Sequence, residues 1–160
     1  MPTNEYGLPV NLNPPPTLAD TQLFISAWGQ LIYQARGLTQ TYKFIEGALQ
    51  IDRDAYGNAI DLSNPAFHKY RTTITCTDVR PPPLDAAFPG IVYTVTCAAF
   101  MCFPVGNPGS PARTVASGSD FTENGFTFYL PVLTMMVFDA SWFREEWKAN
   151  QGWSLTMEEA

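Results

Sequence analysis

Basic residues are few in this 160-residue chain: three lysines and six arginines stand against fifteen acids, for a formal charge of −6. The bases are also scattered. A nucleic-acid groove neutralises phosphates with clustered Lys and Arg, so nucleic acid is not an expected partner. Histidine occurs only at His68 and cysteine only three times, which leaves few groups for acid–base or nucleophilic chemistry. No apolar run approaches the roughly 18 residues of a membrane span. The opening Met1-Pro2-Thr3-Asn4-Glu5 has neither the basic nor the apolar part of a signal peptide. The expectation is a soluble chain made in the cytosol, without a membrane partner. Charged residues at 15% and apolar residues at 46% supply a packed core and exclude disorder and collagen. The length fits one domain.

An odd number of cysteines without a secretion signal argues against a disulfide framework. Cys76 and Cys97 each lie in an alternating apolar pattern, as small buried hydrophobes do. With Cys102 and His68 they would be the right four donors for a structural zinc, but no pair has knuckle spacing. His68 and Cys76 would lie roughly 26 Å apart along one extended strand. No cofactor is expected.

What is abundant is proline, with Pro2, Pro9, Pro14, Pro15 and Pro16 in the first sixteen residues alone. They push the backbone into extended conformations that cannot form a helix. Residues 1–16 are therefore expected to form an arm, and Tyr6, Leu8, Val10 and Leu12, spaced by two, would point one way along it and dock on a neighbouring subunit. Residues 17–160 form a single β-rich domain. Its first element is expected to be a helix over Thr17 to Ala35, because Phe24, Ala27, Trp28, Leu31 and Ala35 fall at three-and-four spacing and Gly37 could close it. The Thr41 to Ile51 stretch is a candidate first strand.

Gln50 to Leu62 has the pattern of a hairpin around Asp54-Ala55-Tyr56-Gly57-Asn58. Asp52, Asp54 and Gly57 match the first, third and sixth positions of a calcium loop. Tyr56 and Ser63 break the match, since the closing bidentate carboxylate is missing. His68 to Asp78 alternates cleanly as a half-buried strand, and Ile91 to Cys97 forms a second. Between them the stiff Pro81 to Gly90 loop carries Leu84 and Phe88 as candidate contacts. Residues 104–119, rich in Pro, Gly and Ser, form an irregular insertion. They lack the lysine of a phosphate loop.

Phe126 to Phe138 is apolar on both faces, with Phe126, Phe128, Leu130 and Val132 on one and Tyr129, Leu133, Met135 and Val137 on the other. This implies burial on both sides, with Met135 and Val137 among the candidate partner contacts. Pro131 marks a bulge or an edge. Ser141 to Ala149 has room for one or two helical turns, and Trp153, Leu155 and Met157 alternate as a closing strand.

No catalytic constellation stands out. Ser117 and Ser119 lack a nucleophile elbow, and the carboxylate pairs Asp52/Asp54, Asp120/Glu123 and Glu145/Glu146 fall in expected turns or on a solvated helix face. A sugar platform built from the C-terminal tryptophans is one alternative function. A small hydrolase is another and would need His68 beside an acid and a nucleophile in a cleft.

The arm Asn13-Pro14-Pro15-Pro16, the hairpin Asp52-Arg53-Asp54-Ala55-Tyr56-Gly57-Asn58 and the strand Thr72-Thr73-Ile74-Thr75-Cys76-Thr77 together give a layout that resembles virion structural proteins of tailed bacteriophages. The resemblance implies a non-catalytic assembly subunit, made in the host cytoplasm and incorporated into the virion, whose partners are further copies of itself and other virion proteins. A tail or head-to-tail component is the favoured role, with capsid decoration as the alternative. The expected fold is mainly β: an antiparallel β-sandwich or barrel-like domain with one N-terminal helix and an extended Pro-rich arm.

Overall fold

The computed structural model describes residues 22–31, 33–48 and 50–160. The arm, with Tyr6, Leu8, Val10 and Leu12, lies outside the described residues, as does the start of the expected helix.

The described chain is mainly β and its strand pairs are antiparallel. In chain order the strands are β1 (Phe24–Ile25), β2 (Gly29–Gln30), β3 (Thr39–Phe44), β4 (Ile51–Arg53), β5 (Ala59–Asp61), β6 (Tyr70–Asp78), β7 (Val92–Thr96), β8 (Met101–Pro104), β9 (Thr114–Val115), β10 (Phe121–Glu123), β11 (Phe126–Tyr129), β12 (Pro131–Arg144) and β13 (Gln151–Glu159). The main sheet runs β2-β1-β7-β12-β13-β6-β3, and β9 also pairs with β12. A three-stranded sheet, β10-β11-β8, and the β4-β5 hairpin complete the fold.

Strand alternation places the core. In register, Ile25 opposes Val95 and Val95 opposes Leu133; further along, Val137 opposes Met157 and Leu155 opposes Ile74. All of these side chains are buried. One face of the main sheet is therefore a continuous apolar layer, and burying such side chains stabilises by about 1.5–3 kcal/mol each. Thr72 and Asp78 are the buried polar residues on this face among the described residues; both roles of the Thr72 hydroxyl are used, since it donates to Thr41 O and accepts from Gln40 Nε2, each at 3.0 Å. Gln40 on β3 also accepts, through Oε1, from the Ala98 and Ala99 amides just beyond β7 at 2.7 and 3.2 Å.

The expected helix over residues 17–35 is overturned in its described part. Phe24–Ile25 and Gly29–Gln30 pair as a tight hairpin, and the chain then passes from one edge of the sheet to the other. Gly29, Tyr33 and Gly37 all have positive φ, at 68°, 64° and 66°, and three left-handed residues cannot share a right-handed helix. Of the apolar residues that suggested a helix, Leu31 and Ala35 enter the core and Trp28 packs against it, whereas Phe24 is exposed; Leu23 and Ile25, outside that stripe, are further anchors of this irregular segment. Trp153 Nε1–H donates to Gln34 O at 2.7 Å and holds that segment to β13.

The helical turns expected in Ser141 to Ala149 are also overturned. β12 continues to Arg144 and pairs with β13 as far as Gln151, so the region is the end of a long hairpin. The stretch read as one two-sided strand over Phe126 to Phe138 is two strands in two sheets. β11 pairs with β8 and β10, the chain changes sheet at Leu130, and Pro131 opens β12, a strand position that tolerates proline. The irregularity in β12 falls later, between Val137 and Asp139. β6, β7, β13 and the β4-β5 hairpin lie where the sequence pattern puts them.

Candidate interaction surface

The outward face of the main sheet is divided. On its β13, β6 and β3 side it carries Ser154, Thr156, Thr73, Thr75, Thr39 and Thr41, paired across strands in register. On its β1, β7 and β12 side it carries apolar groups: Phe24, Val92, Met136 and Phe138 are all exposed. Val92 and Met136 are direct cross-strand partners, and Phe138 is the residue left over at the register shift. The Arg71 guanidinium lies 4.9 Å from the Phe138 ring centre while it binds Glu158 at 2.7 Å through Nε. Such a cation over a ring contributes about 0.5–1 kcal/mol at an exposed site.

The β12-β13 hairpin carries the apolar display outward. Trp142 and Phe143 are exposed on the strand, and Trp147 at the turn is 93% exposed. The turn is held by a salt bridge between Lys148 and Glu145 at 2.5 Å. Gly152 opposes Phe143, and the Phe143 ring occupies the space where a Cβ on Gly152 would stand.

Of the contact residues expected from sequence, Phe88 is exposed at 66%, whereas Leu84, Met135 and Val137 are enclosed by their own chain and form no outer contact on this fold. Leu84 turns inward from the 3-10 turn Leu84–Ala86, and Tyr93 Oη donates to Ala86 O at 2.8 Å to fix that turn against β7. Met135 and Val137 are displaced by parity alone. Their neighbours Met136 and Phe138 face out, and these two, with Trp142 and Phe143, are what the sequence reading missed. The signal available was period two along β12, masked because both faces carry apolar residues.

Several groups with catalytic or ligating potential are engaged in local structure. Asp61, Ser63 and His68 form a small cluster in which Ser63 Oγ donates to Asp61 and lies 3.0 Å from His68 Nε2. A serine hydroxyl has one proton, and with that proton on Asp61 the imidazole Nε2–H is the donor. This polarity is the reverse of a histidine that draws the proton from a nucleophilic serine. The Ser63 hydroxyl, followed by its amide, also holds the Asp61 carboxyl below the usual range. Ser119 is a bracket for the chain, donating to Ala116 O and accepting from Leu130 N–H.

In the β4-β5 turn, the Asp54 carboxylate accepts from the Tyr56 and Asn58 amides and from Asn58 Nδ2 at 2.8–2.9 Å. Those bonds, the Asn58 side chain first, lower its pKa. Cys76 Sγ donates to Arg36 O at 3.2 Å, and burial pushes that thiol up to about 11. Burial likewise raises Cys97, while Cys102 is exposed on β8. Among the described residues, no three His, Cys, Asp or Glu side chains gather as a metal site.

No family model, no curated protein and no solved structure matches the chain.

Proposed function

We propose that this chain is a non-catalytic structural subunit that works through subunit contacts, most specifically a virion component of the tail or head-to-tail region of a tailed phage, assembled in the host cytoplasm. The body would be one antiparallel sheet rolled into a barrel-like form, a reading supported by the bonds that join Gln40 on β3 to Ala98 and Ala99 just beyond β7. One observation carries the proposal. The apolar groups Phe24, Val92, Met136 and Phe138 emerge on the outer face of a sheet whose other face already forms the core, and the hairpin adds exposed Phe143 on that face, Trp142 on the opposite one and Trp147 at the turn. Clustered exposed apolar side chains mark interaction surfaces, and aromatic residues are enriched in such contacts. The acidic composition disfavours nucleic acid as the occupant.

The test is native mass and symmetry by light scattering and electron microscopy, on the full chain and on a form lacking residues 1–16. Rings or larger particles from the full chain, and a folded body of lower mass from the truncated form, are expected. A full chain that stays monomeric with its expected virion partners present overturns the proposal.

A second reading is favoured by one feature: Trp142 and Trp147 are both exposed on the same hairpin, as a sugar-stacking platform requires. Titration with soluble glycans separates the two. Quenching or shifting of the indole fluorescence by sugar, without change of mass, favours the carbohydrate reading.

A further inference from the structure

We infer that β3 is a strand through which two copies of this chain pair, edge to edge and antiparallel, about a two-fold axis at Tyr42. The inference rests on the assembly reading above and deepens it by naming one contact and its occupant.

The two ends of the main sheet are guarded differently. Its order starts at β2 and finishes at β3, and among the described residues these ends do not pair with each other. β2 is two residues long and opens on Gly29, with φ 68°. So short an edge strand offers little to pair with. β3 has six residues, with no proline and no register shift against β6. The proline, bulge or inward-pointing charge that blunts an edge is missing there, since its one charged residue, Lys43, is exposed on the outer face with Thr39 and Thr41.

The free groups of this edge follow from the ladder. Ile45 N–H bonds to Lys69 O at 3.0 Å, one step beyond the Phe44↔Tyr70 pair. Antiparallel bonding alternates, so Thr39, Thr41 and Lys43 exchange bonds with β6, and the N–H and C=O groups of Gln40, Tyr42 and Phe44 point away from it. A row of this kind is a template for an added strand.

A second copy presents the same three residues, and an axis at Tyr42 matches all of them. Tyr42 then faces the partner's Tyr42, and Gln40 faces the partner's Phe44. Moving the axis by one residue in either direction sets one of the three opposite a residue outside β3. Charge selects the same register. Lys43 already lies directly opposite Arg71, so an axis at Lys43 would align lysines and arginines of both copies in one row, and like charges directly opposite destabilise a sheet. With the axis at Tyr42, Lys43 meets the partner's Thr41, a neutral hydroxyl, and the half-exposed Phe44 ring gains the stem of the partner's Gln40. Such an isologous contact closes on itself and leaves β3 no free edge.

The test uses the full-length chain, with mass from light scattering over a concentration series and β3 amide exchange measured by NMR on the same samples. A dimer, alone or as the unit of a larger particle, is expected. Its Gln40, Tyr42 and Phe44 amides should be protected, and the protection should fade on dilution. Thr41→Lys sets a like charge against the partner's Lys43 and should weaken the dimer roughly two- to thirty-fold, the pair counting twice by symmetry. Thr41→Glu should strengthen it by a similar factor, and Lys43→Glu added to Thr41→Lys should restore it. Both positions are exposed, so unfolding should hardly change. Equal responses to Thr41→Lys and Thr41→Glu overturn the inference. So do β3 amides protected in a monomer, which place another part of the same chain on the edge. Assembly with freely exchanging β3 amides overturns it and leaves the wider assembly reading standing. A monomeric mass at every concentration overturns it too, and the wider reading then stands or falls on its own test with virion partners present.

Discussion

Arg36, in the segment that crosses the sheet, and Asp78, at the end of β6, form a three-point clamp. Arg36 Nη2 lies 2.8 Å from Asp78 Oδ1, Arg36 Nε lies 3.3 Å from both oxygens, and the Arg36 amide donates to Oδ2 at 3.0 Å. The Val79 amide is a fourth donor, at 2.7 Å. The carboxylate is almost fully enclosed while the guanidinium is half exposed, so the aspartate is the partner whose loss leaves buried groups unpaired.

Acid should therefore loosen this clamp. The Arg36 side chain, more than any other group, holds the Asp78 carboxyl below its ordinary value. A carboxyl whose folded pKa is depressed stabilises fully above its unfolded value of about 3.9, and the stabilisation is lost as pH falls from there through the folded pKa. Asp78→Asn is expected to cost about 1–3 kcal/mol at neutral pH and to flatten the loss of stability below about pH 4. Urea unfolding at a series of pH values checks both.

The adjacent methionines of β12 should behave oppositely. Met135→Ala empties a fully buried site and is expected to cost about 2–5 kcal/mol. Met136→Ser, one residue on and outward-facing, should change stability by less than about 0.5 kcal/mol while lowering the mass of any assembly. Equal effects of the two on unfolding would contradict the register.

This pair also marks how far the strand pattern was legible from sequence. In β6 and β7 the outward positions are mainly Arg and Thr, so alternation alone fixed the inner face. In β12 the outward set includes Val132, Met136 and Phe138, and hydrophobicity then says that a strand is present without saying which side is the core. The change of sheet at Leu130 depends on pairing partners distant in sequence and leaves no local mark. The segment 22–38 misled for another reason: Phe24, Ala27, Trp28, Leu31 and Ala35 are spaced like a helical stripe, yet Phe24 is exposed on β1 while Leu31 and Ala35 reach the core from an irregular backbone. Of the surface, only the exposure of Phe88 in its loop matches the reading of that loop from sequence. Phe138 was masked by a strand apolar on both faces, and Phe143 by the helical turns expected over Ser141 to Ala149.

Replacing the Trp153 indole by a phenyl ring should release the crossing segment. Trp153→Phe keeps most of the buried ring but leaves Gln34 O without its N–H donor, with an expected cost of about 1–3 kcal/mol. Hydrogen exchange localises the effect: amides of residues 33–38 should exchange faster than those of β7.

Cysteine accessibility tests the core from another direction. Burial raises both Cys76 and Cys97 and excludes reagent, and the thiolate is the reactive form. Alkylation of the folded chain near pH 8 should modify Cys102 alone, with all three thiols reacting in denaturant. Mass spectrometry of the peptides reads the outcome directly.

Gly152→Ala would place a methyl group in the space of the Phe143 ring. That ring is the free end of an exposed side chain and can swing aside, so the change in unfolding free energy should stay below about 1 kcal/mol. The displaced ring should nevertheless weaken assembly if the hairpin is part of the contact.

The order of strands in the main sheet has a bearing on biosynthesis. β12 and β13 sit at its centre, between a wing of β2, β1 and β7 and a wing of β6 and β3, yet both wings are translated before either central strand. Neither half of the nascent polypeptide can close its hydrophobic layer until that hairpin leaves the ribosome. Long-range pairing of this kind folds slowly and exposes unpaired edges meanwhile, so a ribosome stalled before residue 131 would hold two greasy fragments in need of a chaperone.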